Sequence, residues 1–147
     1  MSITDSLNGI APPGTRWNVL SLGAGVQSST LALMASHGEV GPKPDFAVFA
    51  DTQAEPREVY DWLNWLETKL AFPLYRVTAG SLADVALQPR TTKDGRRYTR
   101  NMVPAYTYSP DGTKGMVGRQ CTNHFKIIPI HRETKRRCEI RRAQKEV

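Results

Sequence analysis

The stretch from Trp17 to His37, WNVLSLGAGVQSSTLALMASH, constrains the fold more than any other part of the sequence. Val19-Leu20-Ser21-Leu22 is a short apolar run, Gly23-Ala24-Gly25 a turn, and Ser28-Ser29-Thr30 with Leu31, Leu33 and Met34 the start of a helix. A buried strand, a glycine-containing turn and a helix N-terminus in that order gather unpaired backbone N–H groups and the positive end of a helix dipole at one place. Such a place suits an anion, most often a phosphate. An ordinary strand-to-helix connection reads the same way from these residues alone.

The pattern then repeats. His37-Gly38 supplies a stop, and Gly41-Pro42-Lys43-Pro44 forbids regular structure. Asp45–Ala50 reads as a second buried strand ending at Asp51-Thr52-Gln53. Glu55-Pro56 opens a helix over roughly 56–70, because proline is tolerated in a first turn. Val59, Leu63, Leu66 and Leu70, with Trp62 beside them, give that helix an apolar stripe. Tyr60 and Trp65 fall on other faces, suited either to packing or to stacking on a ligand. Leu74–Val77 predicts a third strand, and Ser81 with Asp84 a capping box that starts a short helix through about Leu87. Alternating strands and helices predict an α/β fold, a three-layer arrangement in which a parallel sheet carries helices on both faces. Ligands on such sheets sit beyond the carboxyl ends of the strands, where Gly23–Ser29 and Asp51–Gln53 fall.

Three segments lie outside that alternation. Residues 1–16 form a polar arm with no secretory pattern. From 88 to 118 the periodicity dissolves among Arg90, Lys93, Arg96, Arg97 and Arg100 and the turn signals Asp94-Gly95 and Pro110-Asp111-Gly112. This segment is either an irregular hairpin or flap that brings arginines to a phosphorylated substrate, or a solvated loop. Residues 133–147 predict a basic helix, with Glu133 and Arg137 at i,i+4 spacing. Its two readings are a solvated helix and a helix that touches nucleic acid.

At 147 residues the chain has room for one domain, and no apolar run approaches a membrane span. Its net charge of +6 is uneven: residues 1–89 carry five basic and nine acidic side chains, residues 90–147 fifteen and five. The basic half attracts polyanions, so nucleic acid, a nucleotide or an acidic protein would each suit it. Two cysteines, Cys121 and Cys138, make no disulfide framework, which leaves a reducing cytoplasm as the expected compartment. Cys121 is either a small packing residue at a helix start or a thiolate favoured by that helix and Arg119. His124 and His131 lack partners at metal-ligand spacing, so no metal site is expected.

Three blocks carry a resemblance: SLGAGVQSST (21–30), FADTQAEPREVYDWL (49–63) and RQCTNHFKIIPI (119–130). Together, over roughly 17–132, they resemble the phosphoadenosine-phosphosulfate (PAPS) reductase-like branch of the PP-loop adenine nucleotide alpha-hydrolase superfamily. The resemblance implies a Rossmann-like (HUP) five-stranded parallel fold, in a compact or truncated version, with ATP or a related adenine nucleotide, with or without magnesium, above the strand ends. It assigns phosphate or sulfate contacts to Ser21, Gly23, Gly25, Gln27, Ser28 and Ser29. Asp51 and Thr52 would lie near the base, the ribose and the catalytic edge, while Arg119 and Lys126 bring positive charge to the phosphates. Asp51 and Cys121 are the implied catalytic residues.

The departures are informative. The hydrolase motif reads Ser-Gly-Gly-x-Asp-Ser, and Gln27 stands at its acid. The reductases' C-terminal Glu-Cys-Gly is missing. Cys121-Thr122 replaces the Cys-Cys pair of iron–sulfur relatives, so no cluster is expected and reduction of PAPS by this chain alone is not expected. Two functions follow. One is an adenine-nucleotide-binding protein that takes part in nucleotidyl activation or sulfur transfer on a nucleic acid or a small molecule. The other is a catalytically degenerate binding protein, of a kind phages and mobile elements encode, acting through its basic surface on nucleic acid or a protein complex, for example as an inhibitor. In either, a homodimer mate could supply a missing half.

Overall fold

The computed structural model describes residues 17–99, 106–116 and 120–145. Three parallel strands, β1 (Val19–Leu22), β2 (Phe46–Asp51) and β3 (Leu74–Thr78), lie side by side in that order. The crossovers carry α1 (Val26–His37) and α2 (Arg57–Glu67), and α3 (Leu82–Leu87) follows β3. The α/β alternation read from the sequence is therefore present. Among the described residues this sheet has three strands, with β1 and β3 at its edges.

Register fixes which side chains share a face. Leu20 lies opposite Ala47, and Leu22 opposite Phe49, while Ala47 also faces Leu74. Since side chains alternate along a strand, these residues present one continuous apolar face. It packs with Ala32 and Ala35 of α1 and Leu63 and Leu66 of α2, all buried. The other face carries Phe46, Val48 and Tyr75, and β2 and β3 contact the C-terminal helix described below. Central strand β2 is buried from Phe46 to Ala50, as expected for a strand covered on both faces.

Helix α1 meets the sheet through small residues. Its buried positions are Ser29, Ala32 and Ala35, whereas Leu31 is 46 % and Val26 85 % exposed. Small residues at i, i+3 and i+6 let the helix backbone approach the sheet closely, a tighter fit than leucine would allow. Leu31 and Met34 line an apolar groove of about 620 Å³, with Val19, Leu20, Val40 and Pro44 along the outer edge of β1.

Within 88–118, read from the sequence as an irregular hairpin or flap or as a solvated loop, the described residues hold two small antiparallel hairpins. One pairs β4 (Pro89–Thr91) with β5 (Arg97–Thr99), the other β6 (Tyr106–Tyr108) with β7 (Lys114–Met116). Their turns share one chemistry. Gly95 N–H donates to Thr92 O at 3.0 Å, and Gly112 N–H to Ser109 O at 2.8 Å, with both glycines at positive φ (85° and 81°). Asp-Gly with the glycine left-handed is the turn that three- to five-residue hairpin loops require.

The chain closes with a π-helical segment, Thr122–Ile127, running into α4, Ile128–Lys145. The helix thus begins before residue 133, where the sequence placed it, and contains Pro129. A proline inside a helix lacks the N–H of an i→i−4 bond and crowds the carbonyl four residues back. Widening the preceding turn to π geometry accommodates both effects. Buried Phe125 and Pro129 anchor this corner.

Glu133 ties α4 together. It accepts from Arg136 at 2.6 and 2.8 Å and from Arg137 at 2.7 Å, and the Arg137 guanidinium lies 3.5 Å over the Tyr75 ring. The Arg136 hydrogen bond, with smaller help from Arg137, outweighs burial and holds the Glu133 carboxyl down at about 2. Because the folded value lies below the unfolded one, this stabilisation is full above about pH 4.5 and is lost as pH falls toward 2. Arg136 is half exposed, so solvent screening reduces the contribution to about 0.5–1 kcal/mol. Glu133→Gln should lower stability by that amount at neutral pH and flatten the acid limb of a Tm-versus-pH curve. Parallel wild-type and variant acid limbs would refute the assignment.

Candidate functional site

The turn between β1 and α1 carries its strain on alanine. Ala24 has φ of 55°, whereas neither Gly23 nor Gly25 has a positive φ. A left-handed non-glycine residue costs of order 1 kcal/mol and concentrates where a turn has a task. Gly25 is the N-cap of α1, in extended geometry, and no side chain caps the helix. The first turn contains no acidic residue. The first backbone bond of the helix is Ser29 N–H to Gly25 O at 3.0 Å, so the N–H groups of Val26, Gln27 and Ser28 precede the intrahelical ladder.

Within the turn, the Ser28 hydroxyl accepts from Gly23 N–H and donates to Gly25 O, both at 3.2 Å. An added Cβ at Gly25 would meet nothing within 4 Å, so the space above the turn is open.

The resemblance groups Ser29 with the phosphate contacts, but the structure gives it another task. It is 2 % exposed, and its Oγ accepts from Trp62 Nε1 at 3.0 Å, linking α1 to α2. Ser21 lies on β1, exposed, opposite Val48 and on the other face from Leu20 and Leu22. Gln27 is exposed beside the open helix end.

Parallel register brings the second block alongside. Leu22, the last residue of β1, lies opposite Phe49, and β2 continues for two more residues to Asp51. Neighbouring strands are about 4.8 Å apart, so the carboxyl end of β2 borders the turn. Asp51 is held firmly: its Oδ1 accepts from Gln53 N–H at 2.8 Å and from Tyr60 Oη at 2.7 Å. Burial and then the Asp51 carboxylate raise the Tyr60 hydroxyl above its ordinary range, so it stays protonated and donates. Tyr60, read from the sequence as a packing or stacking ring, is thus the residue that orients Asp51. Its spacing of nine residues from Asp51 gave no sign of this.

Thr52 is 3 % exposed, with Oγ1 at 3.4 Å from Glu55 and its carbonyl accepting from Leu82 N–H. It therefore braces the loop after β2 against α3. Gln53, also left-handed at φ 55°, reaches Thr78 through Nε2 at 3.3 Å.

The third block joins through one ion pair. Lys126 Nζ, on the π-helical segment, lies 3.5 Å from Glu55 Oε1. Lys126 is about half exposed, so its charge remains available to a second anion. Cys121 is half-buried, with Sγ 4.0 Å from Thr122 Oγ1. Among the described residues no hydrogen bond joins it to the turn or to Asp51. Arg119 lies outside the described residues.

A cavity of about 500 Å³ opens beside the turn, lined by Ala24, Gly25, Val26, Leu33, Val59 and Trp62 among others. No helix among the described residues is long and apolar enough to cross a membrane. Compared with known protein families, curated proteins and solved structures, the chain matches none.

Proposed function

We propose that this chain binds an adenine nucleotide, with its phosphates against the turn between β1 and α1, as a PAPS reductase-like member of the PP-loop class. The observation that carries the reading is the uncapped, acid-free N-terminus of α1 above an open glycine turn. Helix N-termini left in that condition attract anions through free N–H groups and the helix dipole. A phosphate oxygen would replace Ser28 Oγ as the acceptor of Gly23 N–H, freeing the Ser28 hydroxyl to donate to the same phosphate. Lys126 would add a point charge, and Asp51, fixed by Tyr60, would face the ribose or base. Arg119 belongs to the same proposal by resemblance alone.

The three-stranded sheet would correspond to the first half of the five-stranded sheet of that class. The chemistry on this reading is nucleotidyl activation or sulfur transfer to a nucleic acid or a small molecule. Gln27, where a hydrolase has an acid, favours binding over cleavage between the α and β phosphates.

Calorimetry with ATP should show binding by the wild type. Ser28→Ala and Lys126→Ala should each weaken it by roughly 10- to 150-fold, the range for a hydrogen bond of about 1.5–3 kcal/mol to a charged group. A flat wild-type titration refutes the reading.

A second reading rests on the excess of positive charge after residue 90: a binding protein that acts through its basic surface without nucleotide chemistry. Its ligand affinity should fall steeply with salt, whereas that of a pocketed nucleotide should change far less.

A further inference from the structure

The two hairpins carry side chains that neither the core nor the turn uses. In β6–β7, Tyr106 lies opposite Met116 and Tyr108 opposite Lys114. Directly opposed residues share a face, so these four side chains form one side of the hairpin. All are exposed: Tyr106 by 68 %, Tyr108 by 69 % and Met116 by 53 %. Lys114 Nζ stands 5.6 Å from the centre of the Tyr108 ring. The β4–β5 hairpin repeats the pairing, with Arg90 opposite Tyr98.

Exposed rings on three-residue strands contribute nothing to a core, and leaving them in water is unfavourable. The strands contain no Leu, Ile, Val or Phe, so their apolar surface consists mainly of flat rings and one methionine. The cations beside them are free to act. Asp94 is taken by Arg96, and Asp111 accepts from Thr113. Among the described residues no ion pair engages Arg90, Lys93, Arg97 or Lys114.

We propose that the β4–β5 and β6–β7 hairpins bind single-stranded nucleic acid, with bases stacked on Tyr98, Tyr106 and Tyr108 and phosphates held by Arg90 and Lys114, across the ladder from Tyr98 and Tyr108, and by Lys93 at the first hairpin's turn. A ring with a cation directly across the ladder places a π face and a positive charge within one nucleotide's reach. That combination is what sequence-tolerant recognition of single strands requires. A duplex hides its base faces in the stack and could use only the cations. An acidic protein would match the charge but would leave the rings without apolar partners. The inference names the macromolecular partner of the proposed function, yet it rests on different residues from the nucleotide turn.

Fluorescence anisotropy with a labelled oligothymidylate of about 20 nucleotides, and with a duplex of equal length, tests it. The single strand should bind more tightly than the duplex. Its affinity should fall about 20-fold between roughly 50 and 200 mM salt, as three phosphate contacts predict. Tyr106→Ala with Tyr108→Ala should weaken single-strand binding by about 25-fold or more, at about 5-fold per lost ring. Tyr106→Phe with Tyr108→Phe keeps the rings and should stay within about 2-fold, which separates stacking from a purely structural role. Calorimetric ATP binding should be the same in all these variants, so failure here and failure of the nucleotide reading are distinguishable. Absence of binding, equal affinity for duplex, or indifference to loss of the rings would each overturn the proposal.

Discussion

Gly25→Asp should make the protein more stable and, at the same time, nearly abolish nucleotide binding. Gly25 has φ −81° and ψ 170°, extended backbone that any residue adopts, and its Cβ position is open. An aspartate there caps the free N–H groups of the first turn and complements the helix dipole. The expected gain is about 0.5–1 kcal/mol, or a Tm rise of about 1–4 °C for a chain of this size. The same carboxylate occupies the anion position. A like charge about 4 Å from a phosphate costs about 1–4 kcal/mol, depending on the local dielectric, so affinity should fall on the order of 100-fold. Gly25→Ala supplies the control, since it adds no charge and should bind within a few-fold of wild type. A rise in stability with unchanged affinity would show that the anion binds elsewhere.

The second large effect concerns the layer that positions the turn. Phe49 is 3 % exposed on β2, two residues before Asp51 and opposite Leu22. Phe49→Ala should cost about 3–5 kcal/mol through lost transfer energy and the cavity left behind. Leu31→Ala should cost less than about 1 kcal/mol, because nearly half of that side chain is already in water. Urea denaturation measures both. A Leu31→Ala loss comparable to that of Phe49→Ala would mean that α1 packs through its large residues rather than through Ser29, Ala32 and Ala35.

That contrast shows what the sequence made legible. Short apolar runs bounded by Gly and Pro marked all three parallel strands, and the Ser81–Asp84 cap is formed as expected, Asp84 N–H donating to Ser81 Oγ at 3.1 Å. Helix α2 was readable because its leucines recur on one stripe. The buried face of helix α1 was not, because its apolar residues surround the axis and close approach to the sheet selects small side chains. The hairpins were signalled by Asp94-Gly95 and Pro110-Asp111-Gly112 but were obscured by three-residue strands too short to show alternation.

At the site, the glycine turn and Asp51 were visible as strand ends. The hydrogen bonds from Tyr60 to Asp51 and from Trp62 to Ser29 were not, since each depends on how a helix is rotated against the sheet. The pairing of Lys126 with Glu55 spans 71 residues, and only the fold brings the two together.

On the proposed function, the turn between β1 and α1 receives phosphate. Amide chemical shifts of isotopically labelled protein, titrated with ATP, test it at the atoms concerned. The N–H resonances of Gly23, Gly25, Val26, Gln27 and Ser28 should move together along one saturable curve, and the same titration of Gly25→Asp should leave them still. Saturable shifts confined to other residues, or no shifts in the turn at nucleotide excess, would contradict it.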